Sequence, residues 1–165
     1  MKLLVVIPTF NEVASIGAVV DSLLVLPVDL EVLVVDDNSP DGTGAIVSRI
    51  GSPRVHLLSR KEKAGLGGAY RAGIQWALDH STFSHLVTMD GDGSHRAVDL
   101  AAMLLHARPE IDVVLGTRWM PGGAIGNWPR YRQWLSRLGT SYARWALKLP
   151  FRDLTGGFRI YSRSL

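Results

Sequence analysis

Two hydrophobic patterns alternate along the chain. Five short runs are almost continuously apolar and rich in β-branched residues: Leu3–Ile7, Leu30–Val35, Val55–Leu58, His85–Met89 and Val113–Gly116. Between them, Glu12–Leu26, Pro40–Ile50, Leu66–His80 and Val98–Ala107 place apolar residues at helical spacing, as Ile16, Val19, Val20, Leu23 and Leu24 do in the first. Strands alternating with helices predict βαβ units and a mostly parallel, Rossmann-like sheet. Strands without a polar face predict helices on both sides of that sheet. A further helical stripe runs from Tyr131 to Leu149, with apolar residues at 131, 134, 135, 138, 142, 145 and 149. The 165 residues fit one α/β domain, with no repeat and no linker.

In a sheet of this kind ligands bind at the carboxyl ends of the strands. Polar residues gather at those ends: Pro8-Thr9-Phe10-Asn11-Glu12, Asp36-Asp37-Asn38-Ser39, Asp90-Gly91-Asp92-Gly93 and Thr117-Arg118. Asp90-Gly91-Asp92 carries the strongest chemical signal. Two carboxylates two residues apart, past a buried strand, suit a hard cation that takes its other ligands from a diphosphate and water. An EF-hand loop is excluded. Counted from Asp90, its sixth and twelfth positions are His95 and Ala101, and counted from Asp37 the twelfth is Ser48. A capped polar turn is the competing reading. Ser39-Pro40 reads as a helix N-cap and first helical residue, which leaves Asp36 and Asp37 unexplained. Asn11 reads as a cap, Glu12 suits a helix N-terminus, and Phe10 and Glu12 could also face a nucleoside. Gly65-Leu66-Gly67-Gly68 only partly matches a dinucleotide fingerprint, because Tyr70 stands where Gly or Ala is needed. The five His form no pair with metal-ligand spacing and are read as structural.

Composition adds exclusions. Hydrophobic residues at 47% and charged residues at 20% disfavour disorder. With no cysteine there is no disulfide scaffold, thiolate zinc site or thiol nucleophile. The apolar run after Met1-Lys2 is one strand long, too short for a membrane span or a signal peptide, so the expectation is a chain that starts in its fold on the cytoplasmic side. The net charge of +3 conceals a partition. Residues 1–117 hold nine Lys/Arg against fourteen Asp/Glu, whereas residues 118–165 hold nine Lys/Arg against Asp153 alone. Four of the five Trp (Trp119, Trp128, Trp134 and Trp145) fall in the basic part. Such a segment predicts an anionic partner: phosphate, a membrane surface or nucleic acid. Arg132 and Ser136 stand one helical turn apart there, a pair suited to phosphate.

Taken together, Val6-Ile7-Pro8-Thr9-Phe10-Asn11-Glu12 and Val34-Val35-Asp36-Asp37-Asn38-Ser39-Pro40-Asp41-Gly42-Thr43 resemble the opening motifs of family 2 glycosyltransferases. Gly65-Leu66-Gly67-Gly68-Ala69-Tyr70, Met89-Asp90-Gly91-Asp92-Gly93-Ser94-His95, Gly116-Thr117-Arg118, Asn127-Trp128-Pro129 and Asp153-Leu154-Thr155-Gly156-Gly157-Phe158-Arg159 narrow the resemblance to dolichol- and polyprenol-phosphate mannose synthases. The resemblance implies a GT-A fold. It also implies inverting transfer of mannose from GDP-mannose to a polyprenyl or dolichyl phosphate, with Mg²⁺ or Mn²⁺. By position, Pro8, Phe10, Glu12, Val35 and Asp37 would hold the nucleoside. Asp90, Gly91 and Asp92 would hold metal and diphosphate, with Ser94 nearby. Arg118, Arg132 and Ser136 would hold the acceptor phosphate, and Asp92 and Arg118 would be catalytic. Phe10 stands where the family often has Tyr, and Ser94 where some members have Gln. The family's catalytic domain continues beyond the Asp153–Arg159 motif, so 1–165 is expected to be one catalytic domain lacking its C-terminal part. The Trp- and Arg-rich segment would meet a membrane peripherally, at its cytoplasmic face. A UDP-glucose-dependent enzyme on the same lipid phosphate, and an inactive donor-binding or membrane-docking fragment, are the alternatives. A nucleic-acid module is disfavoured by the Asp90/Asp92 pair.

Overall fold

The computed structural model describes residues 1–62, 65–80, 82–117, 130–148, 153 and 156–165. The element order is β1 (Leu3–Thr9), α1 (Ile16–Leu24), β2 (Leu30–Asp36), α2 (Thr43–Arg49), β3 (Val55–Ser59), α3 (Gly65–His80), β4 (His85–Thr88), α4 (Ala97–Leu104), β5 (Val113–Leu115), α5 (Arg130–Leu147) and β6 (Arg159–Ser162). One six-stranded sheet runs β3-β2-β1-β4-β6-β5. The first four strands in that order are parallel. β6 is antiparallel to both β4 and β5, so the mostly parallel sheet expected from the pattern contains one reversed strand. Because β5 then runs the same way as β4, its carboxyl end opens on the same edge.

Alternation along the strands divides the core in two. Leu3, Val5 and Ile7 of β1 meet Ile16, Val20 and Leu23 of α1 and Leu100 of α4. Leu4 and Val6, with Leu33 and Val35 of β2, meet Ala69 and Ala77 of α3 on the other face. This two-sided burial is why β1 and β2 read as unbroken apolar runs. α3 approaches closely because residue 73 is glycine. A Cβ there would stand 2.6 Å from Val6 Cγ1 and 3.1 Å from Val35 Cγ2.

Pro8 lies inside a central strand, normally a poor place for a residue without an N–H. The Met89 N–H donates to the Val6 carbonyl, so Val6 faces β4, and by alternation so does the nitrogen of Pro8. β4 ends at Thr88, level with Val6, so Pro8 interrupts no ladder bond.

Two helix starts differ from expectation. α1 begins at Ile16 rather than near Glu12, and Asn11 is not a cap but a left-handed residue with φ of 63°. α2 begins at Thr43 with Gly42 in the N-cap position. Ser39 and Pro40 therefore precede the helix rather than open it. In α5 the described part of the apolar stripe does not face the sheet, and the Trp145 side chain and Leu149 lie outside the described residues. Tyr131, Trp134, Leu135, Leu138 and Tyr142 are all exposed, while Thr140 is buried. Among the described residues no helix is long and apolar enough to cross a membrane.

Candidate functional site

The carboxyl ends of β1, β2 and β4 are tied together by side chains of the loops that follow them. Asp36, at the end of β2, is buried and accepts Thr9 Oγ1 at 3.0 Å, Ser39 N–H at 3.0 Å and Ser39 Oγ at 2.5 Å. Ser39 Oγ in turn accepts the Asn11 N–H at 3.0 Å. Thr43 accepts the Glu12 N–H at 2.9 Å and donates to Asp41 Oδ1 at 2.6 Å. Asp41 also takes the Val13 N–H, and these donors hold its carboxyl below the ordinary aspartate range, Thr43 first. Asp36, Ser39, Asp41 and Thr43 are thus structural. They shape the Pro8–Glu12 turn from the neighbouring loop.

Asp37 differs. It is buried, and Arg60 Nη1, just past β3, donates to its Oδ1 at 2.8 Å. The pair presents an acceptor and a donor at one point of the edge. Half-buried Pro8 and Phe10 lie on the same edge at the end of β1. Ser15 Oγ donates to the Gly91 carbonyl at 2.8 Å, which joins the start of α1 to the β4 turn, and the Glu12 carboxylate lies 3.1 Å from the same hydroxyl. Val35, expected to touch the nucleoside, puts its side chain in the core beneath α3 and can reach a ligand only through its main chain.

In the β4 turn, Asp90 is partly exposed and Gly91 buried, while Asp92 and Ser94 are exposed. The Ser94 N–H donates to Asp92 Oδ1 at 2.9 Å, so Ser94 orients Asp92 through its main chain. Among the described residues no three His, Cys, Asp or Glu side chains converge on one point. Two carboxylates fit a Mg²⁺-type cation, which takes one or two carboxylates and completes its shell with substrate phosphate and water. Tyr70 of α3 donates to Asp90 Oδ1 at 3.4 Å. Burial first, and then the Asp90 charge, push its hydroxyl above the ordinary phenol range, so it remains a donor. His95 accepts the Asp90 N–H through Nδ1 at 3.0 Å.

Sequence reasoning missed Arg60, Ser15, Tyr70 and His95. Tyr70 and His95 sit within the recognised motifs. Arg60 carries no local signal beyond following a strand. Ser136 of α5 is half-buried. Arg118 lies outside the described residues, as does the side chain of Arg132, so the acceptor-phosphate trio is not brought together among the described residues.

Comparison with known proteins supplies the context. The glycosyl transferase family 2 model matches residues 4–165. A polyprenol monophosphomannose synthase from Mycolicibacterium smegmatis is 40% identical over 167 residues, covering 99% of this chain and 63% of that protein. An undecaprenyl-phosphate mannosyltransferase from Micrococcus luteus is 44% identical over 163 residues, covering 98% of this chain and 66% of that protein. The chain thus spans just under two thirds of the length of these relatives. Among solved structures, a mannosyltransferase from Pyrobaculum calidifontis in complex with GDP-Man and Mn²⁺ superposes with a TM-score of 0.64 at 24% identity, over 99% of this chain and 45% of that one. That likeness concerns the fold. The doubly covered sheet is of GT-A type, and the chain belongs to glycosyl transferase family 2.

Proposed function

We propose that the chain is the catalytic domain, or most of it, of a mannosyltransferase that moves mannose from GDP-mannose to a polyprenyl phosphate with inversion. One observation carries the reading: the Asp90/Asp92 turn opens on the same strand edge as the Asp37–Arg60 pair and Phe10, in a chain whose relatives are named for polyprenol and undecaprenyl phosphates. Nucleoside recognition falls to Phe10 and Asp37, with Arg60 beside them. The diphosphate falls to the β4 turn. Asp90 and Asp92 would hold Mg²⁺ or Mn²⁺ there, and the bound cation would supply positive charge to the diphosphate leaving group.

The remaining chemistry is electrostatic. A phosphate monoester has its second pKa at about 6, so a lipid phosphate is largely dianionic at neutral pH and needs no general base to attack the anomeric carbon. The protein must bring two anionic groups together. The carboxylate turn serves one through its cation. Arg118, Arg132 and Ser136 serve the other.

The exposed face of α5 supports peripheral contact with the membrane that carries the acceptor. Tyr131, Trp134, Leu135, Leu138 and Tyr142 form its apolar side within the basic part of the chain. The cytoplasmic face is the one this reading assigns.

The test is a transfer assay with this chain, one polyprenyl phosphate, and either GDP-mannose or UDP-glucose as donor. Metal-dependent mannosyl transfer, lost in Asp92→Ala, is expected. Preferential use of UDP-glucose would replace the donor. Donor binding without turnover in any combination would reduce the chain to a donor-binding fragment.

A further inference from the structure

We propose that Tyr70 and His95 are positioning residues that hold Asp90 for the divalent cation, with His95 kept in place by Phe158. The inference rests on the metal role given above to Asp90 and Asp92.

Asp90 follows the short strand β4 and is partly exposed, yet its carboxylate is approached from three sides. α3, the far side of the turn and the segment before β6 each supply one. From α3, Tyr70 Oη stands 3.4 Å from Oδ1. From the far side of the turn, His95 meets Asp90 twice. Its Nδ1 accepts the Asp90 main-chain N–H at 3.0 Å, and its Nε2 lies 3.7 Å from Oδ2. Because Nδ1 is an acceptor, the proton of the neutral ring belongs on Nε2, the nitrogen that faces the carboxylate.

The third part is the segment before β6. Phe158 stacks on the His95 ring, with centroids 4.6 Å apart and planes at 14°. Gly157 lies against Asp90, and a Cβ there would come 3.3 Å from Oδ1. This segment is itself fastened. Thr88 Oγ1 donates to the Gly157 carbonyl at 2.6 Å, and the Gly116 N–H to the Phe158 carbonyl at 2.9 Å. The reversed strand β6 thus delivers Gly157 and Phe158 to the cation turn. Among the described residues Asp92 has no such enclosure. It is exposed, and its described bond is the one from the Ser94 N–H. One carboxylate is held in advance and the other is left to adjust. Groups that orient metal-ligating carboxylates typically contribute about 10–100-fold to affinity.

The experiment titrates Mn²⁺ into the chain with saturating GDP and reads free Mn²⁺ by electron paramagnetic resonance. The variants are Asp92→Ala, His95→Gln, Phe158→Leu and Tyr70→Phe. Binding by the unaltered chain and its loss in Asp92→Ala are expected. A roughly tenfold weaker Mn²⁺ affinity is expected for His95→Gln. Smaller losses are expected for Phe158→Leu and for Tyr70→Phe, whose bond is long. GDP affinity without metal should stay unchanged in the His95, Phe158 and Tyr70 variants. Tyr70→Phe removes a single hydroxyl and keeps the readout usable if His95→Gln unfolds. Mn²⁺ lost in Asp92→Ala but bound normally by folded Tyr70→Phe and His95→Gln would overturn the positioning role alone. Mn²⁺ binding indifferent to Asp92→Ala would overturn the metal site and this inference with it.

Discussion

Glu31 shows how a single residue works away from the candidate site. It stands near the amino end of β2, where Lys2 Nζ lies 2.7 Å from Oε1 and His56 Nε2 lies 2.9 Å from Oε2. The Lys2 hydrogen bond, and then His56, hold the carboxyl below the ordinary glutamate range against the opposing effect of burial. A carboxylate whose pKa is depressed on folding stabilises the fold above its unfolded pKa, about 4.3, and loses that contribution as pH falls through the folded value. Glu31→Gln is therefore expected to lower the urea midpoint at pH 7, with the gap from the unaltered chain narrowing once the pH drops below about 4. Urea titrations of both proteins at the two pH values check the sign. Thr43 makes the same point at the site. It is fully buried and joins the Glu12 N–H to Asp41. Thr43→Val keeps the shape, removes both bonds and strands a main-chain donor, which costs about 1–3 kcal/mol. Chemical denaturation should show that loss, and on the proposed function a GDP titration should show weaker binding, because the Pro8–Glu12 turn loses one of its anchors.

At the level of elements, α3 gives a test in which local propensity and packing oppose each other. Replacing a mid-helix glycine with alanine ordinarily adds about 1 kcal/mol. At Gly73 the new methyl would meet Val6 Cγ1 at 2.6 Å, on a branched side chain in a buried strand that cannot swing away. Overpacking of this kind costs about 1–3 kcal/mol, so Gly73→Ala should destabilise. Gly67→Ala on the same helix meets nothing within 4 Å and should be neutral or stabilising. Denaturant midpoints of the two variants compare these outcomes directly. The same contrast between local and distant causes explains what was legible beforehand. β1, β2 and β4 were readable because two-sided burial requires runs of Val, Leu and Ile, and the half-buried edge strands β3 and β5 carry short runs of the same kind, a property of each segment alone. β6 was not, because Arg159–Ser162 is a four-residue stretch with one buried apolar side chain, Ile160, and owes its conformation to β4 and β5 on either side. The starts of α1 and α2 differ from the sequence expectation because Ser39 bonds back to Asp36 and to the Asn11 N–H, and Asp41 divides its carboxylate between the Val13 N–H and Thr43, so neither Asn11 nor Ser39 caps a helix. Asp37, Asp90 and Asp92 stood out as carboxylates at strand ends. Their neighbours Arg60 and Tyr70 come from other elements, and no spacing rule connects them.

For the molecule as a whole, the charge partition turns the reading of α5 into a quantitative expectation. Residues 1–117 are net acidic and residues 118–165 strongly basic, so the chain is polarised although its net charge is only +3. The apolar face of α5 lies in the basic part. Trp134 is 65% exposed and Tyr142 69% exposed, far more than helix residues packed on a sheet would be. An amphipathic helix lying in a membrane interface binds through buried apolar area together with attraction to anionic lipid. The two contributions respond differently to salt, because ions screen exposed charges over about 8 Å at physiological strength and leave apolar burial intact. The chain should therefore sediment with vesicles containing anionic phospholipid and bind less to neutral ones. Raising the salt should release part of the bound protein, and the apolar contribution should keep the rest. Replacing both Trp134 and Leu135 with Ala should weaken binding to anionic and neutral vesicles alike, whereas salt should act mainly on the anionic ones. Complete release by salt, with no effect of the double substitution, would mean that the basic charge acts alone and that the exposed stripe has another partner. On the proposed function, mannosyl transfer to a short, water-soluble polyprenyl phosphate separates docking from chemistry. The double variant should keep that activity while losing transfer to acceptor embedded in vesicles, because α5 then acts by bringing the strand edge to the lipid phosphate.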